Sequence, residues 1–187
     1  MSGVSVTRDV FSMTVSVPDD LVGMPTDGDT DGDTGSGDTG SGDTGSGDTG
    51  REWAAWLGMT CGPVDGRSAL VLVSVTVTAY TPPPGASGAA ALAALLRAQH
   101  PEGSALVEEF TTASGSPAVS IRRVATKRAG GRDVTTGQAQ ALVIYPGPGA
   151  LGVVSGICPD PADLERAAAL VTGIAAGMTV TGASAAA

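Results

Sequence analysis

Aromatic residues are scarce in this chain of 187 residues: two Trp, two Tyr and two Phe, or 3%. A core must therefore be assembled from Val, Leu, Ile and Ala, and the apolar fraction of 42% is enough for one. Histidine occurs once, as His100, and cysteine twice, as Cys61 and Cys158. Serine hydrolysis needs a nucleophile beside an oriented base. No G-x-S-x-G surrounds any serine, and His100 precedes Pro101 at an expected helix end. Two cysteines and one histidine without close spacing do not make a zinc site. Glu108 and Glu109 are adjacent on an expected strand, so they point to opposite faces and cannot act as an acid pair. The expectation is a non-enzymatic chain with no catalytic residues and no cofactor.

Long apolar runs are missing as well. The best membrane-span candidate, residues 139–158, is broken by Pro146, Gly147, Pro148 and Gly149. The opening MSGVSVTRDVFSMTVSV alternates instead of following a basic start with an apolar run, so no signal peptide is read there. A cytoplasmic protein without a membrane partner is expected, its cysteines reduced and packed as small hydrophobes.

Charge is present but unevenly placed. The formal net charge is −9, yet seven aspartates fall between Asp27 and Asp48, and the remainder holds twelve acids against ten bases. Residues 32–50 read GDTGSGDTGSGDTGSGDTG. With no apolar residue to bury, this repeat cannot offset its ordering entropy, and 25–50 is expected to be a flexible acidic insertion. The domain plan is then a first strand within 1–24, the insertion 25–50, the rest of the same domain over 51–181, and a flexible tail, 182–187. Asp27, Asp29, Asp31, Gly32 and Asp38 match positions 1, 3, 5, 6 and 12 of an EF-hand loop. Thr34 at position 8 and the missing flanking helices favour an inert linker, with calcium association by the repeat as an alternative.

Phe11, Met13, Val15 and Val17 alternate with polar residues and predict a strand over 11–17. Trp53, Trp56 and Leu57 at i, i+3, i+4 predict a short helix stopped by Gly58 and by Gly62-Pro63. Residues 68–80 predict a long strand with Val71, Val73, Val75 and Val77 on one face. A helix capped by Ser87, with Leu92, Leu95 and Leu96 inward, should end near His100. Strands are expected over 104–113, 117–125, 138–145 and 150–158, with TKRAGGRD as a basic loop before the third. Asp160 and Pro161 start a final helix carrying Leu164, Ala167, Ala168, Val171 and Ile174, closed by a left-handed Gly177. A short strand over 178–181 ends the domain. Adjacent strands with few helices imply an α+β fold, an antiparallel sheet of about six strands flanked by two or three helices.

The segments FSMTVSVPDD, SGSPAVSIRRV and QAQALVIYPGPGALGVVSGICPDPADLERAAALVTGIAAGMTV give the chain a resemblance to the PsbP/Mog-like superfamily and its actinobacterial LpqN-type proteins. The resemblance spans residues 10–24 and 51–181. LpqN-type members are lipoproteins, and no lipobox is read here. Members of the superfamily bind other proteins or serve as accessory subunits, so the resemblance implies a protein-binding module with an unknown protein partner. A small apolar or lipid ligand between helix and sheet is the alternative. Candidate partner-binding residues are Trp53, Trp56, Arg122, Arg123, Lys127 and Arg128, with Arg132 in the same basic cluster. Nucleic acid would require more positive charge and exposed aromatics, so none is expected. The acidic insertion has the charge to fold back and mask the basic cluster.

Overall fold

The computed structural model describes residues 2–8, 11–24, 53–64, 67–80, 88–100 and 103–182, and for residues 2–8, 24, 53–56, 61–64 and 67–69 the backbone only. The described strands are β1 (Ser2–Arg8), β2 (Phe11–Val17), β3 (Leu21–Met24), β4 (Trp53–Val64), β5 (Arg67–Ala79), β6 (Ala105–Thr111), β7 (Pro117–Ala129), β8 (Arg132–Tyr145), β9 (Ala150–Cys158) and β10 (Thr179–Gly182). They form a seven-stranded sheet, ordered β3-β4-β5-β9-β8-β7-β6, and a three-stranded sheet, ordered β1-β2-β10. Helix α1 spans Gly88–Gln99, and helix α2 spans Leu164–Gly177 after one 3-10 turn at Pro161–Asp163. The α+β class stands, but the single sheet of about six strands becomes two sheets.

Period-2 alternation decides which face of the large sheet carries the main core. Val71, Val73, Val75 and Val77 of β5, Ala139, Ala141 and Val143 of β8, and Val154 of β9 are buried on one face. Met13, Val15 and Val17 of β2 and Ala167, Val171 and Ile174 of α2 complete the same cluster. The small sheet and α2 therefore pack together on this face. Strand β9 admits the helix because it carries glycine there. A Cβ added at Gly156 would lie 2.6 Å from Val171 Cγ2, and one at Gly152 would lie 1.9 Å from Met178 Cε. The opposite face is covered only in part. Ala93 of α1 packs with Val107 of β6 and Val119 and Ile121 of β7 in a second, smaller cluster.

Several expectations need correction. Residues 53–57 form no helix: Trp53 pairs with Val77 and Trp56 with Val75, inside a β4 that also pairs with β3. The ladder to β5, joined by β3 from Leu57 onward, outweighs a short amphipathic match. TKRAGGRD is not a loop, since β7 and β8 run through it and turn only at Gly130-Gly131. Leu95 is 55% exposed, so the inward face of α1 is narrower than three leucines suggest. Gly177 does not leave α2 in a left-handed conformation, because the chain exits through Met178 at φ −75, ψ 139. The Asp160 cap forms as expected, its Oδ1 accepting from Ala162 N at 2.9 Å. The Ser87 cap, the calcium candidates Asp27, Asp29, Asp31 and Asp38, and the tail from 183 lie outside the described residues.

Candidate functional site

Helix α1 roofs only the β6–β7 end of its sheet face, and this leaves a groove beside its last turn. Arg97 fixes that turn, its Nη2 donating to Val107 O at 3.1 Å and its Nη1 lying 3.7 Å from Glu109 Oε1. The groove has a volume of about 390 Å³. Its roof is Leu96, Gln99 and His100, and its floor is Ile121, Arg123, Gln138, Gln140, Ser155 and Ile157. The floor residues share one face because the register pairs Ile121 with Gln140 and Ser155, and Arg123 with Gln138 and Ile157.

The polar side chains in the groove are organised around Arg123. Its Nε donates to Gln138 Oε1 at 3.1 Å. Its Nη1 lies 3.4 Å from His100 Nδ1 and 3.5 Å from Nε2. Gln140 Nε2 donates to Ser155 Oγ at 3.1 Å, tying β8 to β9 across the floor. No carboxylate lines the groove among the described residues, and none there pairs with Arg123. A half-buried guanidinium with no carboxylate partner among the described residues keeps donors available for an anion.

Consecutive residues diverge at this point. Arg122 faces the α2 side, where it pairs with Glu165 of α2 and lies 3.9 Å from Glu108 Oε2. Lys127, Arg128 and Arg132 are exposed at the end of the β7–β8 hairpin, away from the groove. The expected basic cluster is thus split into an ion-paired residue, a groove residue and a hairpin tip. Strands β3 and β4, which flank the acidic insertion in sequence, stand at the other end of the strand order from β7 and β6. The insertion itself lies outside the described residues, so the masking expectation falls there as well. Trp53 and Trp56 lie in β4, and their side chains are outside the described residues.

His100 has a cation as its ring neighbour, which is not the pairing of a general base with a nucleophile. Glu108 and Glu109 point to opposite faces as expected, toward Arg122 and Arg97 respectively. Cys158 is a buried free thiol beneath α2. Burial pushes its pKa up, and the charges of Asp163 and Asp160 act in the same direction. Among the described residues no group of three or more His, Cys, Asp or Glu could hold a metal ion, and no helix is long and apolar enough to cross a membrane.

The sequence reading named Arg123 but missed its partners, which stand 23 and 15 positions away. The Gly130-Gly131 pair was the available signal. A two-residue Gly-Gly turn fixes every cross-strand pair behind it, including Arg123 with Gln138.

No family model matches the chain, and no curated protein matches it in sequence. Among solved structures it is similar to that of LpqN of Mycobacterium tuberculosis, described as involved in cell envelope biogenesis. The similarity covers 96% of this chain and 91% of that one, with a TM-score of 0.50 and 13% sequence identity. The cytoplasmic expectation is overturned by this finding, because the structural neighbour is a protein involved in cell envelope biogenesis. What the likeness establishes for this chain is the fold, through a distant structural relationship to LpqN.

Proposed function

We propose that this chain is a non-enzymatic accessory protein of the cell envelope, within the PsbP/Mog-like superfamily, and that it binds a small ligand in the groove beside α1. The observation that carries the reading is the groove itself. Its volume of about 390 Å³ falls in the range of small-molecule sites, and it combines apolar walls with a few convergent polar groups. Leu96, Ile121 and Ile157 supply the walls, while Arg123, Gln138 and Gln140 supply the polar groups. Protein binding is the second reading. It is favoured by Val22 and Ile157, which are 66% and 42% exposed on the face that α1 leaves partly uncovered.

Native mass spectrometry of the full chain purified from its natural host tests the ligand reading. The wild type should carry a small molecule that is released on unfolding. Gln140→Trp, at an exposed floor position, should keep the melting temperature and lose that molecule. A wild type that carries no small molecule, or a Gln140→Trp chain that retains it fully, overturns the reading.

A further inference from the structure

We infer that the groove selects an anionic amphiphile, a ligand whose carboxylate head pairs with Arg123 and whose apolar body lies along Leu96, Ile121 and Ile157. The inference rests on the reading of the groove as a ligand site and adds the chemistry of its occupant.

Charge is the first argument. Arg122 and Arg97 each have carboxylate partners. Arg123 has a glutamine and a histidine instead. Its Nη2 makes no hydrogen bond among the described residues. A planar guanidinium whose Nε and Nη1 already have partners is pre-organised, so little further side-chain entropy is lost when a carboxylate arrives.

The second argument is the distribution of polarity around it. Gln138 and His100 hold Arg123 at one end of the floor. Gln140 donates to Ser155, which leaves neutral hydrogen-bonding capacity on the floor but no second charge. Ile121 is buried and Ile157 exposed, flanking the polar floor on β7 and β9. The site therefore offers one strong anion contact and an apolar track, and no second cation for a more highly charged head. Neutral sugars or alcohols would leave the guanidinium desolvated and unpaired, which is costly.

Isothermal titration of the full-length protein with decanoate, and separately with decanol, tests this. Decanoate should bind at least about 10-fold more tightly than decanol, and Arg123→Gln should abolish most of that difference. Arg123→Lys should recover part of it, because it keeps the charge and loses the planar fork. Arg122→Gln, on the other face of β7, should leave decanoate binding unchanged. Thermal melts of each variant separate lost binding from lost folding. Equal affinity for the two probes, or full binding by a folded Arg123→Gln, overturns the anionic assignment while leaving the groove as a ligand site. Failure of both probes to bind the wild type overturns the assignment and the ligand reading together.

Discussion

Arg122 and Arg123 are neighbours in β7 and serve opposite faces of one sheet: Arg122 reaches Glu165 on α2, and Arg123 reaches His100 beyond α1. The pleat separates an ion-paired cation from one whose described partners are a glutamine and a histidine, with no residue between them. Arg122 is 29% exposed and its partners Glu108 and Glu165 are 59% and 75% exposed, so solvent screens the pairs. Arg122→Ala should cost no more than about 1 kcal/mol in urea unfolding. A much larger loss would mean that Arg122 holds α2 in place by more than a screened contact.

Gly156 sets how closely α2 approaches β9. Its added Cβ would sit 2.6 Å from Val171 Cγ2 and 3.8 Å from Ala167 O. Gly156→Ala should destabilise by about 1–3 kcal/mol through overpacking. Val171→Ala should relieve part of that cost, so the double variant should be more stable than the sum of the single losses predicts. Strict additivity in denaturant titrations would argue against the contact.

Tyr145 carries the only tyrosine hydroxyl described as buried, and it donates to Met178 O at 2.9 Å. Burial pushes its pKa well above the ordinary phenol value. Tyr145→Phe leaves the Met178 carbonyl without that partner and should cost about 1–3 kcal/mol. Thermal unfolding measures the loss, and an unchanged midpoint would show that this hydrogen bond is dispensable.

Cys158 gives the fold a sensitivity to alkali. Its ordinary pKa of 9.0 is raised in the folded state, so the unfolded thiol ionises first as pH rises. The thiol's contribution to stability is intact below about pH 9 and is lost as pH climbs toward the raised folded value. Stability of the wild type should fall as pH rises above 9, and Cys158→Ala should flatten that fall. Parallel curves for the two proteins would remove the thiol as the cause.

Shortening the acidic insertion should be tolerated. Strands β3 and β4 on either side of it are already antiparallel neighbours, with Met24 opposite Leu57. Deleting residues 26–50 leaves enough chain to close the hairpin, and closure entropy varies slowly with length. The unfolding free energy should change by no more than about 1 kcal/mol. Failure of the deleted chain to fold would give the repeat a structural role.

Much of the fold could be read from local signals. Alternation exposed β2 and β5, and Asp160-Pro161 marked the start of the last helical segment, because those patterns depend on neighbours in sequence. The β4 strand was hidden because Gly58 and Gly62-Pro63 look like stops, while its order comes from β3 and β5 on its two sides. The outer part of the β7–β8 hairpin was hidden for a different reason. Residues 126–135 are exposed on both faces, so no alternation of polarity marks them. The groove needed knowledge of register and of the exit of α1 at once, and so only one of its residues, Arg123, was picked out in advance as a binding candidate.

The hairpin that outruns its sheet has a consequence for self-association. Strand β6 stops pairing at Arg123 and β9 stops at Gly137, so among the described residues the ribbon beyond them has no third strand on either side. Its outward backbone N–H and C=O groups are the kind of template on which another chain can nucleate a continuous sheet. Lys127, Arg128 and Arg132 sit along that ribbon, where two copies brought edge to edge would meet as like charges. Exposed basic residues along an open ribbon disfavour edge-to-edge stacking of two copies.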